Sequence, residues 1–240
     1  MLCGNWKVAK FGFKSRQHVT NSKYVINSKF TMKINMMQWN INGYFSKLPH
    51  LQQYIDVKFT KIICLQETWL KKENTPFLCG YQHPSARRDR GSRRGGGVCI
   101  FVANGLPYDI APIVSELEAT AIQLYMENSK ISICSIYIPP DFCNKDLSKK
   151  LDNLCANIPK PYIVIMNSNS HHSCWKSKYS GREMGWFYYG SLTHIDLTVA
   201  SPELAFKFEL ELHTDNFGND HFLINIINSC SDTPPSPQKY

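Results

Sequence analysis

Wherever an apolar run of this chain gives out, a polar side chain able to work on phosphate follows. Asn40 ends KINMMQWN, Glu67 follows KIICLQ, and Tyr137 lies near the end of ISICSIYIPP. Asn167 and Asn169 follow YIVIM, Asp196 starts DLTVA, and Asp220 and His221 come just before FLINI. In-line hydrolysis of a phosphodiester needs an activated water, donors for the charge that builds on the phosphoryl oxygens, and a neutralised leaving oxygen. Carboxylates, carboxamides, a phenol and an imidazole can supply those functions. The carboxylates suit Mg2+, which takes one or two protein carboxylates and keeps several waters. The competing reading is that Asn, Asp and His are frequent in turns because they bond their own backbone. Spacing alone leaves both readings standing.

The chemistry requires that the intervening runs be strands ending on a common side. Lys33–Ile41 reads as a strand, and Leu48, Leu51, Tyr54, Ile55 and Phe59 then recur at helical spacing. Lys61–Glu67 is a short apolar run with a polar end, followed by a Pro-, Gly- and Arg-rich loop over Phe77–Gly97. Val98–Val102, Ala121–Tyr125, Ile131–Ile138 and Tyr162–Met166 read as strands, with a second helix marked by Leu147, Leu151, Leu154 and Ile158. Ile195–Val199, Phe206–Leu212 and Phe222–Ile227 complete the set. Many strands with few helices predict a layered α/β domain. Two packed sheets with helices outside would explain strands that are apolar nearly throughout. A parallel doubly wound sheet is the alternative, since periodicity does not give strand order. In either case strand ends open into clefts where ligands bind.

The chain has 240 residues, 43% hydrophobic and 19% charged, which suits one large domain with a sizeable core. A net charge of +8 favours a polyanionic partner such as nucleic acid, through phosphate neutralisation. Arg87, Arg88, Arg90, Arg93 and Arg94 precede a triple glycine. They either follow a DNA backbone or decorate a solvated hairpin loop that glycine lets turn. The nine cysteines form no Cys-x-x-Cys pair, and Cys64, Cys99 and Cys134 lie inside apolar runs. Free buried thiols in a reducing, intracellular compartment are expected, with no disulfide-linked partner. No apolar run approaches the roughly 20 residues of a membrane span, so no membrane partner is expected. Residues 1–31 hold no acidic residue and read as a basic, disordered extension, with a transit peptide as the alternative. Residues 32–228 read as the domain and 229–240, rich in Pro and Ser, as a frayed tail. Nothing in the sequence speaks to the oligomeric state.

Taken in order, WNINGY, LQETWL, the RRDR to GGGVCIFV stretch, SIYIPP, NSNSHHSCW, IDLTVASP and NDHFLI resemble the successive motifs of the endonuclease/exonuclease/phosphatase superfamily. LQETWL, and the pair His171–His172 ahead of Trp175, are similar to the apurinic/apyrimidinic-like endonuclease domains of insect-type non-LTR retrotransposons. The resemblance runs from Met32 to Ile227. It implies a four-layer α/β sandwich, two packed mixed sheets flanked by helices, with the site at one end. It also implies Mg2+-dependent nicking of DNA, with Mn2+ as a substitute ion and a nuclear location if the DNA is chromosomal. By resemblance, Asn40 and Glu67 form the first metal-site pair, Glu67 being the ligand. Tyr137 approaches the scissile phosphate and Asn169 hydrogen-bonds it. Asp196 and His221 form a carboxylate–imidazole pair that stabilises the oxyanion, and Asp220 is a second metal contact. His171 and His172 fit surface or packing roles.

Two departures from the pattern bear on activity. Where the superfamily reads Gly-Asp-Phe-Asn, this chain reads Met166-Asn167-Ser168-Asn169. Asn167 thus replaces the aspartate that serves as base or water anchor, and a carboxamide cannot accept a proton at neutral pH. Between Trp175 and Asp196 the superfamily carries a helix, a strand and a loop; here only a short linker joins them. A missing helix–strand segment is expected, which could leave an unpaired sheet edge. With no reverse transcriptase following Ile227, a truncated or decayed mobile-element copy fits. Two function classes therefore compete: an impaired DNA-nicking hydrolase, and a catalytically dead remnant that binds nucleic acid by charge. A phosphoinositide phosphatase or sphingomyelinase would need other substrate loops.

Overall fold

Two-residue alternation divides the first strand, β1 (Asn35–Asn40), between two apolar layers. Met36 enters one cluster, and Met37 and Trp39 enter another on the opposite face. A strand buried on both faces needs cover on both sides. The computed structural model, which describes residues 34–82, 84–88, 95–127, 129–140, 147–169, 196–204 and 207–228, supplies it. After β1 come α1 (Tyr44–Val57), β2 (Ile62–Gln66), β3 (Ser85–Arg87), β4 (Val98–Val102), β5 (Tyr108–Ile110), β6 (Glu118–Met126) and β7 (Ser129–Tyr137). Then follow α2 (Leu147–Asn157), β8 (Tyr162–Asn167), β9 (Asp196–Ala200), β10 (Phe208–Leu212) and β11 (Ile224–Asn228).

The strands form two mixed sheets, ordered β10-β11-β1-β2-β4-β3 and β5-β6-β7-β8-β9. Parallel pairing occurs at β1–β2 and β7–β8, the two pairs whose connection carries a helix. Every other neighbouring pair is antiparallel, which overturns the doubly wound alternative. Between the sheets, Met36, Ile62 and Ile100 meet Ile133, Ile163 and Ile165. Outside the first sheet, Leu51, Tyr54 and Ile55 of α1 cover Trp39, Leu65 and Phe101. Outside the second, Leu154 and Cys155 of α2, with Ile158 just past its end, cover Cys134, Ile136 and Val164. The result is the expected four-layer α/β sandwich.

Three readings change. Phe59 lies beyond the end of α1 and is 89% exposed, so it takes no part in the helical stripe. The Arg-rich loop contains β3, held by Ser85↔Ile100 pairing on β4. β5 pairs at the edge of the second sheet, where an exposed three-residue strand carries no alternation long enough to read. The described cysteines, Cys64, Cys79, Cys99, Cys134 and Cys155, are free thiols. No described helix is long and apolar enough to cross a membrane. The shortened linker, with His171 and His172, lies outside the described residues, as do both termini.

Candidate active site

Strand direction brings the polar ends together. β1 and β2 are parallel, so Asn40 and Glu67 emerge at the same end, with Asn40 paired to Gln66. β11 runs antiparallel to β1, so the residues leading into it, including His221, arrive at that end too. In the second sheet Tyr137 pairs with Asn167, and Asn167 with Asp196, in one row across β7, β8 and β9. Ile165 lies in the inter-sheet core, so by two-residue alternation Asn167 also faces the first sheet.

The inter-sheet gap changes character toward this end. Beyond the apolar core, Gln38 donates through Nε2 to the Met166 carbonyl at 3.0 Å and accepts from Thr198 Oγ1 at 3.4 Å. Gln66 Nε2 donates to Ser135 Oγ at 2.9 Å. These buried rungs tie the sheets together one step before the site. The sequence reading passed over them; the signal was a glutamine, serine or threonine at core-facing parity in an otherwise apolar strand.

At the mouth of the gap the side chains form one connected network. Asn40 Nδ2 donates to Glu67 Oε1 at 2.9 Å and lies 3.3 Å from His221 Nε2. His221 Nδ1 lies 2.8 Å from Asp196 Oδ2, and Asn167 Nδ2 donates to Asp196 Oδ1 at 2.8 Å. The structure therefore brings together Asn40, Glu67, Asn167, Asp196 and His221. Burial alone would push the His221 pKa down, but Asp196, Asp220 and Glu67 outweigh it and hold the pKa above its ordinary value. The imidazole backbone is pinned in turn: Trp39 Nε1 donates to the His221 carbonyl at 3.3 Å, and Asn219 Nδ2 donates to the Asn40 carbonyl at 2.7 Å.

Asn40 couples the ring to Glu67. With Nδ1–H on Asp196, a neutral ring accepts from Asn40 at Nε2. Protonating Nε2 puts two donors face to face, and turning the amide would aim Oδ1 at the Glu67 carboxylate. Both Asn40 Oδ1 and Asn167 Oδ1 are buried with no hydrogen-bond partner among the described residues. Such atoms are costly unless something supplies a donor or a cation.

Other expected residues take different positions. Tyr137 is buried at the end of β7. Asn169 directs Nδ2 at the Ile138 carbonyl, 3.0 Å away, and so braces the turn after β7. Asp220 is exposed and accepts from Asn42 Nδ2 at 3.5 Å. No three His, Cys, Asp or Glu side chains converge as a metal-holding group among the described residues. Arg88 directs its guanidinium inward, donating to the carbonyls of Trp69, Leu70 and Gly95 at 2.8, 3.2 and 3.2 Å. Arg87 donates to the Ser115 carbonyl at 3.2 Å. Both arginines brace loops, a use that an Arg-rich stretch does not announce. Arg90, Arg93 and Arg94 lie outside the described residues.

The loops that carry the site are locally strained. Asn42, Glu67, Trp69 and Asn169 all adopt left-handed backbone, with φ of 50°, 51°, 55° and 42°. Such residues persist when their surroundings hold them, and they concentrate at functional sites. Here the hold is backbone bonding: Gly43 N–H to Glu67 O at 2.8 Å, Tyr44 N–H to Thr68 O at 2.9 Å, and Thr68 N–H to Gly97 O at 3.2 Å.

A family model described as the endonuclease/exonuclease/phosphatase family matches residues 37–207. The chain is 25% identical over 148 residues to a Drosophila melanogaster protein described as a probable RNA-directed DNA polymerase from transposon X-element. That match covers 60% of this chain but 16% of the relative, so the chain spans a small part of that protein's length. The fold is similar to the endonuclease domain of TRAS1, a telomere-specific non-LTR retrotransposon, with a TM-score of 0.62, 14% identity, and coverage of 81% of this chain and 98% of that one. It is equally similar to the AP endonuclease LMAP from Leishmania major, with a TM-score of 0.62, 14% identity, and coverage of 82% and 87%.

Proposed function

Because the chain belongs to the endonuclease/exonuclease/phosphatase family, we propose that it is a divalent-metal-dependent phosphodiesterase that nicks DNA, weakened by the loss of its proton acceptor. The carrying observation is the single network that joins Glu67 and Asn40 of one sheet to Asp196 and Asn167 of the other through His221. The similarity to retrotransposon and AP endonuclease folds supports DNA as the substrate class.

The donor set fits a hard cation. Glu67 brings a carboxylate. Asn40, which donates to it through Nδ2, leaves its Oδ1 buried and unpartnered among the described residues, and Mg2+ asks for few protein ligands. Asp220 would join through water. The ion would supply charge neutralisation at the scissile phosphate and the leaving oxygen.

The chain's own residues would do the rest. Asp196 fixes the His221 ring and favours its charged form, which can donate from Nε2 to a phosphoryl oxygen once Asn40 gives way. By resemblance Tyr137 and Asn169 would meet the phosphate, from the end of β7 and from the turn that the Asn169 amide braces. Asn167 Oδ1 can accept a hydrogen bond from the attacking water and so aim it, but it cannot take the proton. Losing a positioned base typically costs about 10²–10⁴ in rate.

That last point also supports the second reading, a non-catalytic protein that binds nucleic acid by charge. Nicking of supercoiled plasmid by the full chain, in Mg2+ and in EDTA, separates the two. Mg2+-dependent nicking that Glu67→Ala abolishes supports the hydrolase. Silence of both the wild type and Asn167→Asp supports the binder.

A further inference from the structure

Next to the network, on its β4–β3 side, lies a cleft of about 350 Å³. Its walls include Thr68, Lys71, Lys72, Pro76, Arg87 and Arg88, and no carboxylate among the described residues. Thr68 follows Glu67 directly, so the cleft begins one residue from the network. Its hydroxyl is buried without a hydrogen-bond partner among the described residues. Lys71 and Lys72 are exposed at its rim. Lys71 lies 4.0 Å from Glu73, too loose and too exposed a pairing to neutralise it. Arg87 and Arg88, fixed to backbone carbonyls, form part of the wall. The exposed Lys71 and Lys72 heads at its rim suit an anionic chain.

Two phenylalanines stand beside it against expectation for buried aromatics: Phe45 is 55% exposed and Phe77 is 72% exposed. They are held in place through Tyr44. The Tyr44 hydroxyl donates to the Phe77 carbonyl at 2.7 Å, and its ring meets Phe45 edge-on at 5.3 Å. Tyr44 N–H is bonded to the Thr68 carbonyl, which joins this cluster to the cleft wall. Pro76, next to Phe77, is itself part of that wall.

Exposed rings beside a cationic groove are the two elements of single-strand recognition: charge follows the phosphates, and aromatic faces take the bases. A duplex would use the charge but keep its base faces stacked away from the rings. An apolar protein partner would need a continuous apolar patch, whereas the wall that leads to Phe77 through Pro76 also carries Lys71 and Lys72. We propose that the Lys71–Lys72 cleft and the Phe45–Phe77 pair form a track for single-stranded nucleic acid running away from the scissile phosphate. The backbone lies in the cleft and unpaired bases lie on the rings. This rests on the nuclease reading and specifies its substrate as DNA with an unpaired segment flanking the nick.

The test is fluorescence anisotropy of the full chain in EDTA, so that binding is read without cleavage. The probe is a fluorescein-labelled oligodeoxynucleotide, single-stranded and as the blunt duplex of the same sequence. The single strand should bind more tightly. Phe45→Ala with Phe77→Ala should weaken it by about thirtyfold or more and leave duplex binding within about twofold, while Phe45→Trp with Phe77→Trp should retain it. Lys71→Glu with Lys72→Glu should weaken both probes and reduce the single-strand salt slope by roughly 1.4. If a charge-reversed or alanine variant melts early, Lys71→Gln with Lys72→Gln and Phe45→Leu with Phe77→Leu replace them with the same expected order. Equal affinity for the two probes, or indifference to the ring variants, overturns the track. Single-strand preference without Mg2+-dependent nicking would refute the hydrolase alone.

Discussion

Asn167 donates its amide N–H to Asp196 Oδ1 at 2.8 Å, on the same carboxylate whose other oxygen holds His221. The carboxamide is therefore a working part of the network as it stands. An aspartate there would remove the donor and set two carboxylates in contact. Like charges sharing a site raise one carboxyl pKa and further favour the charged imidazole. Asn167→Asp is expected to gain about 10²–10⁴ in Mg2+-dependent nicking and to melt at a lower temperature than the wild type. A variant no faster than the wild type would show that the missing proton acceptor is not the limiting defect.

The His221–Asp196 pair predicts a pH dependence of stability. The His221 pKa is raised above its ordinary 6.5, against the downward pull of burial, chiefly by Asp196. The pair's contribution is thus fully present below pH 6.5 and is lost as pH rises through the raised value. Asp196→Asn should cost roughly 3 kcal/mol at acidic pH, the scale for removing one partner of a buried pair, and progressively less on the alkaline side. Denaturant unfolding of both proteins across pH 5.5–9 checks this. Parallel curves would contradict it.

Gly97 is predicted to be intolerant of any side chain. Its φ is +96°, and a Cβ there would come within 2.3 Å of Thr68 Oγ1. Left-handed backbone alone costs about 1–2 kcal/mol for alanine, and the contact adds to it. Gly97→Ala should lower unfolding free energy by more than the backbone figure. Thr68→Ala in the same chain should recover the steric part only. Full recovery would mean that the backbone conformation matters little.

Much of this site was readable because its parts sit at abrupt changes from apolar to polar sequence. Glu67 after IICLQ is visible without coordinates, since a strand that buries both faces must end where a charge appears, and Asp196 before LTVA marks the same switch between polar and apolar sequence. Motif order then suggested which ends would meet. What stayed hidden depends on partners remote in the chain. Gln38 looks like a polar interruption until Met166, 128 residues away, is beside it. Arg88 looks like a solvated cation until three carbonyls surround it. Asn169 matched its motif, yet its amide nitrogen braces Ile138. β3 does not stand out from its loop because three residues after Pro84 carry no usable period.

Asp196 opens β9, which pairs with β8 alone among the described strands and is only partly buried along most of its length. The residue that orients the imidazole is thus mounted on the outermost described rail of its sheet, whereas the imidazole itself is anchored beside central β1. Opening free energy is lowest where few buried contacts protect backbone bonds. Detaching that single rail would disarm the site while the ten other described strands stay assembled. Amide exchange over Asp196–Ala200 should accordingly run ahead of β1 and β8. Exchange there as slow as in β1 would show that the rail is clamped by more than β8. Faster exchange there would mean that the protein loses chemical competence by fraying, at a cost well below that of unfolding.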